Sequence, residues 1–339
     1  MYLNYYGFIG CMVLESLSSL ENAKKHPVTL FFMAFLVSSA GLFLAFNSFP
    51  GSSSVLAIAF VAVAFMPILH SLFIMEEINE VDEKDVPFAF ISTHFDVIHI
   101  YSWIFLGLIV AYAFWYAVLP MDNSACTGMG CLLPEKPRIF SEQNKVYSGI
   151  TGLSAATGKV TGETECFNAK TKSFTSCFGL IFMNNAWVMA LIIIFSFIWG
   201  AGAIFSIAWN ASVIGTFIGI EITSKSVDAG IARAVSYLPH GIPEVMAYFV
   251  AAIMGGIISA TISKRNFRKG ELKVVLVDSL LLGMLALITL FIGAFIETAE
   301  IFAYWDVAVA GIVAFAALYI ILYIPAVRYR INKIRKEAV

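Results

Sequence analysis

Residues able to exchange protons or hold a cation are sparse in this chain, and they gather at three places. The first is Tyr237-Leu-Pro-His-Gly-Ile-Pro-Glu-Val245, where His240 and Glu244 stand at the mouth of the apolar run 245–262. An imidazole changes charge near neutral pH, and a carboxylate offers it a proton partner. Two prolines and a glycine interrupt the backbone here, so the helix is expected to begin around Ile242. Glu244 then falls in its first turn, where the helix dipole favours a carboxylate. On that reading His240 and Glu244 are a helix-start pair rather than a continuous i,i+4 face. With Asn210 they form a candidate polar site at a broken helix, 239–244. Broken membrane helices line cavities in transporters. The structural alternative is that both side chains satisfy backbone groups at a buried helix start.

The second place holds His70, Glu76, Glu77, His94, Asp96, His99 and Asp278. If the spans carrying His70 and His99 are antiparallel neighbours, those two rings meet, and Glu76 and Glu77 lie nearby. Two histidines and a carboxylate could make a metal-dependent intramembrane hydrolase site. The same two glutamates also belong to a charged run, 76–85, that reads as a solvated loop. The third place is 121–180, a polar stretch with Cys126, Cys131, Cys166 and Cys177. An even set of cysteines in one polar insert predicts two disulfides on an oxidising side. The spacings of five and eleven residues differ from paired zinc knuckles, and Cys11 is left over.

The elements that must position these groups are membrane helices. Hydrophobic residues make up 60% of the 339, charged residues only 13%, and mean hydropathy is +0.85. A soluble domain carries about 25% charge. The expected fold class is all-α, a polytopic transmembrane bundle of about eight spans. These run over 27–46, 54–75, 96–119, two within 186–222, 243–262, 274–296 and 301–324. A single helix over 186–222 would be about 55 Å long, so it must fold back near Trp199-Gly-Ala-Gly202. Five regions follow: an interfacial segment 1–26, three spans in 27–120, the extracytoplasmic insert 121–180, a five-span region 181–325 and a basic tail 326–339. The stretch 223–242 could dip back as a re-entrant element.

Lysine and arginine set the orientation. Five lie in 264–273, five in 328–336, and Lys24, Lys25 and Lys84 fall on the same side, against Lys225 and Arg233 in the short opposite segments. This predicts a plasma-membrane protein with both termini cytoplasmic and the cysteine insert outside. Glu297, Glu300 and Asp306 then lie near the outer surface, where they read as partly hydrated. The net charge of -2 argues against a nucleic-acid partner. Gly215-Thr-Phe-Ile-Gly219 matches GxxxG, which marks either internal packing or a homo-oligomer seam.

Leu238-Pro-His-Gly-Ile-Pro-Glu244, with a Gly-Gly-containing helix and a basic turn after it, resembles the stage II sporulation protein M family of integral membrane proteins. A His-Gly-x-x-Glu element opens a membrane helix in that family, and Asn210-Ala-Ser-Val-Ile-Gly215 is similar to its Asn-Gly helix pattern. The resemblance runs from about Asn184 to the C-terminus, and the first half looks like the archaeal members. It implies an all-helical membrane protein with no established catalytic activity. Glu76-Glu77 followed by Phe95-x-x-x-His99 also resembles part of the glutamate-pair membrane proteases that process prenylated proteins. No phosphate loop, HExxH, GxSxG or nucleotide fingerprint occurs, and no catalytic residue, cofactor or metal is assigned. The expected function is a non-enzymatic multi-pass protein. It forms a solute or lipid path, or it serves as an envelope or membrane-remodelling scaffold that receives a partner through 121–180. An intramembrane hydrolase is the alternative. Membrane lipids are its expected surroundings.

Overall fold

The structure, a computed structural model, describes residues 26–82, 94–121, 134–151, 173–199, 202–263 and 269–337. Every regular element among them is helical. In chain order they are α1 (Val28–Ser48), a 3-10 turn at Pro50–Ser52, α2 (Ser53–Asp82), α3 (Phe95–Val118), α4 (Lys136–Ile139), α5 (Ser141–Thr151), α6 (Phe174–Trp199), α7 (Ala203–Ser224), α8 (Val227–Ser236), α9 (Leu238–Ser263), α10 (Lys269–Ile301) and α11 (Trp305–Glu337). Eight of them, α1, α2, α3, α6, α7, α9, α10 and α11, are long and apolar enough to cross a membrane.

Helix α9 is the axis of the bundle. It packs on α10, α6, α2 and α3, and the unbroken series Ala247–Ile253 is buried on all sides. In its most apolar window 72% of residues are buried, against 11% for α11, which leans mainly on α10. Lipid tails are as apolar as leucine, so oil-and-water sorting does not drive helices together here; close backbone approach does. A Cβ on Gly215 would lie 2.5 Å from the Ile109 carbonyl, and one on Gly219 would lie 2.6 Å from the Tyr116 Cβ. The GxxxG element is therefore the internal seam between α7 and α3.

The expected turn at 199–202 falls between α6 and α7. Helix α6, however, starts at Phe174 rather than near 186. Thr175, Ser176, Asn184 and Asn185 dilute its hydropathy, but a helix satisfies its own backbone and tolerates them. Cys177 accordingly lies in the first turn of a membrane span, 3% exposed and with a free thiol. This corrects its expected place in a disulfide of the insert. Cys126, Cys131 and Cys166 lie outside the described residues.

Part of the polar stretch 121–180 enters the bundle. Phe140 is buried against Tyr112 and Tyr116, and Lys136 sits over the Tyr116 ring at 4.9 Å. Gln143, with no exposed surface, accepts from Ser54 Oγ at 2.6 Å and donates from Nε2 to Ser212 Oγ at 3.1 Å. One amide thus ties α5 to both α2 and α7. Replacing it takes away the buried acceptor of the Ser54 hydroxyl and the donor to Ser212 Oγ, which keeps its own bond to the Trp209 carbonyl, a cost of about 1–3 kcal/mol. Gln143→Leu is expected to lower the melting temperature in detergent, whereas exchange of exposed Lys145 leaves it unchanged.

Candidate functional site

The His240 region is not broken where the prolines stand. Helix α9 begins at Leu238, its first turn secured by Gly241 N–H donating to the Tyr237 carbonyl at 2.8 Å. Pro239 lies in the first turn and Pro243 one turn on, so only the bond from 243 to the Pro239 carbonyl is lost. The interruption is at Tyr237, between α8 and α9. This corrects the expected break at 239–244. His240, Glu244 and Tyr248 therefore do share one helix face, at successive turns.

That face meets a matching one on α10. His240 Nδ1 and Glu300 Oε2 are 2.6 Å apart, their side chains 16% and 17% exposed. One turn deeper, Glu297 lies within hydrogen-bonding reach of Glu244. Carboxylates carry no donor, so a hydrogen bond between two such groups requires a proton between them. Deeper again, Asn185 on α6 donates from Nδ2 to Glu244 Oε1 at 2.7 Å, and its Oδ1 accepts from Tyr248 Oη at 3.2 Å. The result is a polar ladder of three rungs, built from three helices and descending from the end of the bundle that carries α8.

Packing explains how the rungs come together. Gly293, one turn before Glu297, leaves a notch into which Glu244 fits. A Cβ there would lie 2.7 Å from Glu244 Cγ and 3.3 Å from both the Glu244 nitrogen and the His240 carbonyl oxygen. Helix α6 is brought alongside by a phenylalanine row. Phe174 packs on Phe295, and Phe178 and Phe182 both pack on Phe291. These positions share a face with Asn185 and point its amide at Glu244. Beyond Glu300 the chain turns sharply. Tyr304 N–H bonds to the Ala299 carbonyl at 2.8 Å, and Ala303 takes φ 56°, a left-handed conformation that favours glycine.

Other expected residues stay apart from the ladder. Asn210 donates back to its own helix at the Ser206 carbonyl, 2.8 Å away, because a side chain at that position reaches the preceding turn. Helices α2 and α3 touch little directly and are bridged by α1 and α7, each of which packs on both. Consequently His70 and His99 both face outward, His99 against Trp103, and the expected pairing of spans two and three is corrected. Glu76 and Glu77 lie on α2, with side chains outside the described set. His94 and Asp278 do come within electrostatic reach of each other. Among the described residues no three His, Cys, Asp or Glu side chains are arranged to hold a metal ion, so the metal-hydrolase reading gains no support. Sequence reasoning noted Glu297 and Glu300 only as interfacial acids and passed over Asn185, Tyr248 and Gly293. The available signal was an asparagine inside a span and a Gly-x-x-x-Glu-x-x-Glu face ending another.

The rim of the bundle beside the ladder is held by a second ion group. Glu221 on α7, 4% exposed, takes Arg233 at 3.0 Å and Lys225 at 2.8 Å. Gly230 lets α8 lie against Ile222, which a Cβ would meet at 2.2 Å. Ser226 caps α8 by accepting from the Ala229 N–H. The Tyr237 hydroxyl beside it is pushed up to about 12, chiefly by burial.

An all-helical bundle with eight apolar crossings and this interior ladder defines a polytopic membrane protein. A sequence profile for stage II sporulation protein M matches residues 56–299, which is most of the chain, so the protein belongs to that family. Searches of curated proteins and of solved structures find no match.

Gly293→Ala is expected to cost about 1–3 kcal/mol by overpacking, read as a lower melting temperature in detergent. Ala303→Gly is expected to gain about 1 kcal/mol by relieving the left-handed backbone, read as a higher one.

Proposed function

We propose that this protein is non-enzymatic and forms a path through the membrane for a small cation or proton, with the ladder as its polar element. The observation that carries this reading is the ladder itself. Three carboxyl groups and an imidazole stand in mutual contact at membrane depth. Ionisable groups are expensive in such a place and usually serve transport or proton relay. His240 and Glu300 at the head of the ladder keep 16% and 17% of their side-chain surface exposed, so its upper rung is reachable rather than sealed.

A plasma-membrane location with both termini cytoplasmic belongs to the same reading, and the distribution of lysine and arginine supports it. The ladder then opens to the exterior. A disulfide in 121–180, now a choice among Cys126, Cys131 and Cys166, would mark that side as oxidising. The scaffold reading draws on a different observation, the tight seat of Glu244 in the Gly293 notch. There the polar groups would hold helices rather than conduct. Homo-oligomers and an extracytoplasmic partner at the insert fit either case.

The test uses purified protein in sealed vesicles with a trapped pH dye and an imposed potential. Wild type is expected to pass protons or small cations faster than protein-free vesicles. Glu244→Gln is expected to slow that flux about tenfold, the effect of roughly 1.4 kcal/mol on a barrier, without loss of folded protein. If wild-type vesicles pass protons, sodium, potassium and magnesium no faster than empty ones, the path reading fails. A drop in melting temperature for Glu244→Gln would then favour the scaffold.

A further inference from the structure

Helix α9 has a second flank, away from the ladder, and a cavity of about 350 Å³ lies against it. It is lined by α3, α7, α8 and α9, with Phe105, Ile109, Ile218, Gly241, Val245 and Phe249 among its walls. Its size falls within the range of about 300–1,000 Å³ usual for small-ligand sites. The lining is almost wholly apolar. Ser102, one of its few polar residues, turns its hydroxyl back to the Ile98 carbonyl at 2.7 Å. Leu238 and Phe249 bound the cavity along α9, a separation of about 16 Å. A hydrocarbon core is about 30 Å thick, so the cavity has the depth of a single leaflet.

Helix α8 borders the cavity through Ala234. That short helix turns Val227, Ile231 and Val235 outward, the pattern of a helix lying in the membrane interface. Arg233, next to the lining residue Ala234, stands at this rim with its guanidinium 5.8 Å from the Tyr237 ring. One of its terminal nitrogens holds Glu221, while 40% of the side chain stays exposed. Free guanidinium N–H groups suit a phosphate. Lys225 shares the same glutamate, and Asp228 is the one acid of α8 itself.

The geometry points to a lipid site, beyond the ion path proposed above. One acyl chain of a phospholipid from the α8-side leaflet lies between α3, α7 and α9, with its phosphate at Arg233. A lipid tail fits this occupant's role because the cavity has no polar demand to meet, has leaflet depth, and carries a cation only at its headgroup end. No bond is made or broken; the protein holds a lipid where α8 meets the bundle.

The test is photolabelling in phosphatidylcholine vesicles doped with phosphatidylglycerol bearing a diazirine in one acyl chain, mapped by mass spectrometry. Label is expected to concentrate on the cavity walls of α3, α7 and α9. Gly241→Phe should cut it about tenfold, since a Cβ there meets only Tyr237 Cβ at 3.9 Å and the ring grows into the cavity. Leu106→Trp, at a half-exposed lining position, is the second blocking variant should the first fold poorly. Wild type is expected to take label from the phospholipid in preference to a diazirine diacylglycerol, which lacks the phosphate, and Arg233→Gln should abolish that preference. Label spread evenly over lipid-facing helices, or unchanged in both blocking variants, would overturn the site. Cross-links from the cavity walls to a second copy of the chain would overturn it too, and a preference unmoved by Arg233→Gln would overturn the phosphate assignment.

Discussion

The arrangement of the bundle's polar interior depends on how closely α9 and α10 can approach. At Gly293 there is no side chain, and the Glu244 methylene occupies the space one would take. That single missing Cβ sets the register of the two helices. With it fixed, His240 falls opposite Glu300 and Glu244 opposite Glu297. A bilayer has no water to solvate stray ionisable groups, so each must find its partner within the protein. The ladder and the helix packing are two descriptions of one fit.

The rest of the bundle obeys the same limitation. Its core and its lipid-facing surface are chemically alike, so shape does the sorting. Gly215 and Gly219 admit α3, and Gly255 admits the Ser196 side chain of α6. Ser196 then donates to the Ala252 carbonyl at 2.7 Å, an interhelical bond of the kind that stabilises membrane bundles by modest amounts. Polar side chains elsewhere, such as Ser38 and Thr261, simply return their hydroxyls to their own helix.

Much of this was legible in the sequence. Eight spans followed from apolar length, and the fold-back at 199–202 followed because one helix could not be so long. The His240–Glu244 pair was visible as ionisable groups at the mouth of a long apolar run. Its geometry was misjudged because two prolines read as a break, whereas both stand near a helix start where few bonds are lost. Partners were harder. Nothing local to Glu297 or Asn185 says which helix each will face, since that depends on a three-dimensional fit set at Gly293. Asn210 looked equally suitable, yet it bonds within its own turn. The penetration of Gln143 was hidden for a related reason. A polar segment between spans reads as a loop, and only two serines on distant helices give a buried amide its place.

Gln143 carries a mechanical consequence. The residues on either side of 134–151 belong to the long segment between α3 and α6. That segment is not hung on the bundle by its ends alone. Through α5 it is threaded between α2 and α7, bound to a hydroxyl on each. Any force or ligand acting on it works as a key in a lock already seated between two membrane helices. Helix α7 continues to Glu221, and Glu221 anchors Arg233 and α8. A displacement at the segment therefore has a short route along α7 to α8, the strap at the same end of the bundle, where Tyr147 of α5 also packs on Phe217 of α7.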